Sequence, residues 1–183
     1  MIVVGIDEVG RGCVAGPVVA AAVVIRDKLP FNVYDSKKIS ANKREQLDSL
    51  IKEHSLDFSI SVIPPNIIDN INIHEASLLA MSNAFNRLVV TTDSVRVDGK
   101  FIPSEINHPN IKSIINGDSI VAEISAASII AKVFRDNLMK QYAHQYPNYH
   151  FHKHKGYLTK EHLEAIHHFG PCEIHRKSFA PFS

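Results

Sequence analysis

The sequence predicts an α/β domain built on a mixed β-sheet with helices on its faces. Three observations point there. Short apolar runs of strand character recur near residues 1–4, 18–25, 58–62, 95–97 and 111–115. Other stretches place apolar residues at steps of three and four, the period of a helix with one buried face. Strands and helices interleave along the chain, which suits a layered sheet better than an all-α or all-β packing.

Taken in order, Ile2, Val4 and Ile6 alternate as in a strand with one buried face. The run Val18 to Ile25 is β-branched and alanine-rich, as expected of a central strand buried on both sides. Its Ala20-Ala21-Ala22 core leaves room for a closely packed helix. Ser40 can cap a helix running to about His54, with Leu47, Leu50 and Ile51 on one face. Phe58, Ile60 and Val62 alternate as a third strand, which Pro64-Pro65 stops. Asn72 and Glu75 form a possible capping box ahead of a stripe of Ala76, Leu79, Ala80, Ala84 and Leu88. Val95 and Val97 mark a short strand ending in Asp98-Gly99, and Ile111 to Ile115 another ending in Asn116-Gly117-Asp118. From Ser119, the positions Ile120, Ile124, Ala127, Ala131, Phe134 and Leu138 predict one long amphipathic helix with Asp118 at its N-terminal end. Thr159 can cap a last helix through about Phe169, ended by Gly170-Pro171. There is no internal repeat.

At 183 residues the chain is long enough for one substantial core. Its apolar content of 45% is ordinary for a globular protein. No apolar run reaches the ~18–20 residues that a membrane-crossing helix needs, and no signal peptide is evident. The expectation is a cytoplasmic protein, monomeric, with Cys13 and Cys172 both reduced. A net charge of +1 does not announce a nucleic-acid binder. Basic residues nevertheless cluster early (Lys37, Lys38, Lys43, Arg44) and late (Lys153, Lys155, Lys160, Arg176, Lys177). Local patches of this kind can follow a phosphate backbone, or they are simply a solvated surface.

The stretch Gly5-Ile6-Asp7-Glu8-Val9-Gly10-Arg11-Gly12 sets two adjacent carboxylates beside a glycine-flanked arginine. Acids at the end of a buried strand are costly unless a cation or base meets them. Glycines allow the backbone to approach a ligand closely. A cation site beside an anionic or hydroxyl-bearing substrate is one reading; a polar hairpin turn is the other. Neighbouring residues of a regular strand point to opposite faces. If Asp7 and Glu8 serve one site, a break in the strand at Glu8 is expected. Asp7, Asp98 and Asp118 each lie at or just beyond a strand end, so parallel strands would bring all three to one edge of the sheet. With Glu8 they would make an oxygen-only, anionic site suited to Mg²⁺ or Mn²⁺. Two divalent ions ~3.5–4 Å apart would relieve the mutual repulsion of the acids.

The ordered set of motifs resembles the ribonuclease HII family, the bacterial type 2 ribonucleases H. It comprises residues 5–12, Asp35-Ser36-Lys37-Lys38, Val97-Asp98-Gly99, Gly117-Asp118, the run 125–133 with Arg135-Asp136, Lys155-Gly156-Tyr157, and His175-Arg176-Lys177-Ser178-Phe179. The match spans nearly the whole chain. It implies a ribonuclease H-like fold with a mixed five-stranded sheet in the order 3-2-1-4-5. Residues 1–142 would form the catalytic domain, and residues 143–183 a C-terminal extension contributing Tyr157. The implied activity is endonucleolytic cleavage of RNA in RNA–DNA hybrids and incision of duplex DNA on the 5′ side of embedded ribonucleotides. By motif, Asp7, Glu8, Asp98 and Asp118 would be the metal-binding, catalytic acids, holding two ions of Mn²⁺ or Mg²⁺ when substrate is bound. Gly10, Arg11 and Gly12 match the element that senses the ribose 2′-hydroxyl, and Tyr157 matches the tyrosine that stacks on the sugar. A 2′-hydroxyl is what separates RNA from DNA at one residue. Ser36, Lys37 and Lys38 are expected substrate contacts, the lysines reaching phosphates without reading bases. Arg11 favours type HII over type HIII. Cys13 stands where many relatives have proline. No sliding-clamp motif is evident in Ser178 to Ser183.

Eight of the eleven histidines lie beyond residue 143. His150, His152 and His154 would share a face if extended, but a closed zinc site needs four ligands. They read as surface or substrate-flanking groups.

Overall fold

The structure, a computed structural model, describes residues 1–34 and 39–183. Five strands form one sheet: β1 (Ile2–Val9), β2 (Val18–Arg26), β3 (Asp57–Ile63), β4 (Ser94–Asp98) and β5 (Ile111–Ile114). Their order is β3-β2-β1-β4-β5, as expected from the family resemblance. β1 runs antiparallel to β2 and parallel to β4, and β4 runs parallel to β5. The C-terminal ends of β1, β4 and β5 therefore share one edge, which carries Asp7, Glu8 and Asp98.

The helices are α1 (Ala41–His54), α2 (Pro65–Ile71), α3 (Ile73–Asn86), α4 (Gly117–Ile120), α5 (Ala122–Gln145), α6 (Phe151–His154) and α7 (Lys160–Phe169). The predicted caps hold: Ser40 Oγ accepts from Lys43 N, Asn72 Oδ1 from Glu75 N, and Thr159 Oγ1 from His162 N. α2 was not predicted. Pro65 opens it, a position where proline's missing N–H is no loss.

The alternation of β2 divides the core. Val18, Ala20, Ala22 and Val24 pack with Ile68, Ala76, Ala80 and Ala84 from α2 and α3. Val19, Ala21, Val23 and Ile25 pack with Leu47 and Ile51 of α1 and Ala126, Ala127 and Ile130 of α5. The alanine run thus admits helices on both sides. α5 presses onto β1 at Gly5, where a Cβ would lie 2.0 Å from the carbonyl carbon of Glu123. A third, smaller cluster joins Ala15 and Met139 to Tyr149, Phe151, Ala165 and Ile174 of the C-terminal segment.

Two expectations fail. The single helix from Ser119 is two, α4 and α5, because Val121 adopts an extended conformation (φ −122, ψ 116) between them. Ile120 is consequently 64% exposed, and Phe134 also faces outward. Nor does β1 break at Glu8: it pairs in register with β2 through Asp7–Ala21, Glu8–Ala20 and Val9–Val19. The pairing with β4 ends instead at Ile6–Val97. Beyond that point one flank of β1 has no neighbouring strand, so side chains from both of its faces can open onto one rim.

Candidate active site

A cavity of about 330 Å³ at this sheet edge is lined by Asp7, Glu8, Asp98 and Asp118, with Tyr157 on its rim. The four predicted acids therefore meet. Asp7 and Glu8 come from the end of β1, Asp98 from the end of β4, and Asp118 from the first turn of α4. The α4–α5 break places Asp118. Asn116 takes a left-handed conformation ahead of it, and the Ser125 hydroxyl, from the first turns of α5, donates to the Asp118 carbonyl. Asp98 Oδ1 accepts from the backbone N–H of Asp118 at 3.3 Å.

The electrostatics are those of a crowded anionic site. Asp7 is 5% exposed. Burial, then the charges of Glu8 and Asp98, push its carboxyl well above the usual range, against hydrogen bonds from Ser128 and the Glu8 N–H. Burial also raises Glu8, with Arg11 offsetting part of the effect from 3.3 Å. The second Glu8 oxygen, Oε2, is buried without a hydrogen-bond partner among the described residues. Such an orphaned oxygen among carboxylates fits a hard divalent cation. Among the described residues no three of these side chains stand close enough together to ligate one ion as they are. An ion held here would thus complete its shell from outside the protein.

Three further side chains line the cavity, Arg44, Ser128 and Lys132. The sequence marks Arg44 only as part of a basic cluster and the other two only as part of the motif run 125–133, with no role in the site. Ser128 and Lys132 stand four apart on α5, and that spacing alone put them on one helical face. Lys132 also pairs with Asp136 at 2.7 Å. Ser36, Lys37 and Lys38 lie outside the described residues. A larger cavity, about 490 Å³, lies by Phe31 and Ile120. Its one buried acid, Glu123, is paired with Arg96 at 3.1 Å, so it carries no comparable chemistry.

Tyr157 and the Gly10-Arg11-Gly12 turn face each other. A Cβ on Gly12 would lie 3.9 Å from Tyr157 Cε1. Tyr157 is 44% exposed, and burial, then the neighbouring Cys13 thiol, raises the pKa of its hydroxyl. Behind it lies a histidine chain. Cys172 N donates to His175 Nδ1 (2.9 Å), so His175 Nε2 carries the proton and donates to His162 Nε2 (3.0 Å). His162 Nδ1 in turn donates to the Tyr157 carbonyl at 2.9 Å. His154 stacks on His162 with ring centroids 4.2 Å apart. These three histidines are buried. Of the three expected at the surface, His152 is exposed and His150 half-buried, while His154 packs inside against His162. Burial pushes His162 and His175 down to about 4, so both are neutral at pH 7.

A family model described as Ribonuclease HII matches residues 4–182. A ribonuclease HII of Borrelia hermsii is 53% identical over 177 residues, covering 96% of this chain and 97% of its own. Among solved structures, ribonuclease H2 from Pyrococcus horikoshii superposes with a TM-score of 0.86 at 26% identity, covering 100% of this chain and 95% of that one. The fold is also shared with Bst-RNase HIII in complex with Mn²⁺, at a TM-score of 0.79 and 19% identity, over 100% of this chain and 68% of that one. With the fold, the acid cavity and the full-length match in agreement, the chain belongs to the ribonuclease HII family.

Proposed function

We propose that this ribonuclease H, whose family acts on RNA–DNA hybrids, also incises duplex DNA on the 5′ side of a single embedded ribonucleotide, leaving 3′-hydroxyl and 5′-phosphate ends. The observation that carries the proposal is the meeting of two functions at one cavity. Four acids line it, and a backbone turn faces an exposed tyrosine across the space a sugar would fill.

Asp7, Glu8, Asp98 and Asp118 would hold the divalent ions, and the Mn²⁺ complex of the related HIII enzyme supports a divalent requirement. Mn²⁺ or Mg²⁺, two ions when substrate is bound, would supply Lewis-acid activation of water and neutralise charge at the leaving oxygen. Everything else falls to the chain. Arg11 holds one oxygen of Glu8 and leaves the other for a ligand. Lys132 stands at the cavity wall as a phosphate contact. The Gly10-Arg11-Gly12 backbone meets the 2′-hydroxyl, and Tyr157 offers a stacking face that tolerates any base sequence. Residues 1–142 would carry the chemistry, and residues 143–183 would grip the substrate through Tyr157. Such an activity serves ribonucleotide removal in DNA replication and repair.

The test compares three substrates with Mg²⁺ or Mn²⁺: a long hybrid, a duplex with one ribonucleotide and an all-DNA duplex. Incision of the first two, with a 3′-hydroxyl at the cut, supports the proposal. Equal cutting of the all-DNA duplex would make the chain a junction-type DNA nuclease. Binding without cutting would reduce it to a binding module.

A further inference from the structure

Two arginines, Arg135 and Arg176, are fully buried behind the Gly10-Arg11-Gly12 turn. Neither forms an ion pair among the described residues. All of their guanidinium nitrogens donate instead to backbone carbonyls. Arg176 reaches Gly10 O (2.6 Å), Arg11 O (2.9 Å) and Gly16 O (2.9 Å). Arg135 reaches Pro17 O (2.9 Å), Ala15 O (3.0 Å) and Lys155 O (2.8 Å). Five of these six carbonyls belong to residues 10–17.

Apolar side chains of similar volume could fill the same space without desolvating a charge, often at no loss of stability. Two guanidiniums spent on carbonyls therefore ask for another reason, and peptide geometry supplies it. In a trans peptide the C=O of one residue and the N–H of the next point in opposite directions. With the Gly10 and Arg11 carbonyls drawn inward by Arg176, the N–H groups of Arg11 and Gly12 must point outward. Among the described residues neither N–H has an intramolecular acceptor. Gly12 is also the residue that faces Tyr157. Gly10 serves the opposite side of the turn. Its φ is +95°, and a Cβ there would lie 2.2 Å from Arg135 Nε. Arg135 further ties the loop to Lys155, two residues before Tyr157, so both sides of the sugar space hang from one buried scaffold.

We propose that Arg176 is the positioning residue for ribonucleotide recognition: by holding the Gly10 and Arg11 carbonyls inward, it presents the N–H groups of Arg11 and Gly12 to the 2′-oxygen. This rests on the reading of the turn as the 2′-hydroxyl contact. Burial pulls Arg176 down to about 10, which leaves it cationic at neutral pH. It thereby also polarises the peptides that it holds.

The test measures binding, with Ca²⁺ replacing Mg²⁺, of a duplex with one ribonucleotide and of its all-DNA counterpart. Arg176→Lys keeps the charge and loses the three-way fork. It should weaken the ribonucleotide duplex about tenfold, the worth of one or two neutral hydrogen bonds, and leave the all-DNA Kd within twofold. Mn²⁺ affinity, read by calorimetry, should not move. Equal weakening of both duplexes would indicate a merely structural role and overturn the proposal. So would a wild-type preference that survives in the variant. A wild-type protein with no preference would instead remove the reading of the turn itself, and the proposal with it. If Arg176→Lys does not fold, the full chain assembled by ligation at Cys172 with citrulline at position 176 offers a neutral near-isostere. The same selective loss is expected there, and an unchanged preference would overturn the proposal.

Discussion

Asp7 is the residue on which burial, charge and strand position converge. Its raised pKa means that the folded, cation-free protein resists ionising it. A raised carboxyl binds protons more readily in the folded state than in the unfolded one, so its charge at neutral pH weakens the fold. Asp7→Asn should therefore stabilise the cation-free protein at pH 7, read as a higher urea midpoint with chelator present. The same change should abolish turnover while largely sparing hybrid binding. Unchanged turnover would contradict the assignment of Asp7 to the cation. Tyr157→Ala should slow incision at single ribonucleotides about 10–100-fold, the worth of one base–aromatic stack, and long hybrids less. Equal losses on both substrates would remove its role at the junction. The acids and Tyr157 were legible because short motifs carry them. Arg135 and Arg176 also stand in quoted motifs, but what they do there was not legible. An arginine in a sequence reads as a surface cation, and nothing in its spacing reveals carbonyl partners 120 or 160 residues away.

Among the elements, the contact between β1 and α5 sets the site. β1 carries Asp7 and Glu8, and α5 carries Ser128 and Lys132. At Gly5 the two pack so closely that a Cβ would lie 2.0 Å from the Glu123 carbonyl carbon. Gly5→Ala forces a methyl into the Glu123 carbonyl and should cost at least the ~1–3 kcal/mol typical of overpacking. Chemical denaturation measures it; a neutral effect would mean that α5 can retreat freely. The strands and most helices could be read from periodicity and caps. The α4–α5 break could not, because Ile120 continues the apolar stripe while one extended residue, Val121, turns it to solvent. The unbroken β1 corrects a local argument with a tertiary one. The ladder to β4 stops early, and that opens both faces of the strand to one cavity.

Across the whole molecule, the C-terminal segment is held by a buried, neutral network. His175 and His162 link the Cys172 backbone to the Tyr157 carbonyl. Both histidines have pKa values lowered to about 4 from 6.5. The unfolded chain therefore binds more protons between those values. Their contribution is fully present above pH 6.5 and is lost as pH falls toward 4. Urea midpoints across this range should fall with pH, and His162→Gln should flatten the slope. A midpoint constant from pH 6.5 to 4.5 would contradict the neutral network. Among the described residues no helix is long and apolar enough to cross a membrane. The sheet order was legible through the family's motifs, whereas the burial of the histidines was not, since their partners are backbone groups that no side-chain pattern announces.

The central claim is that residues 7–12 supply both half of the cation site and the test for ribose. Its most direct measurement is the single-turnover incision rate of a duplex with one ribonucleotide, beside its all-DNA twin, as Mn²⁺ is titrated from zero. Incision should require the cation and should favour the ribonucleotide by as much as ~10⁴-fold, the discrimination open to a site built to bond a hydroxyl. Cutting in the presence of chelator, or at equal rates on both duplexes, would contradict it.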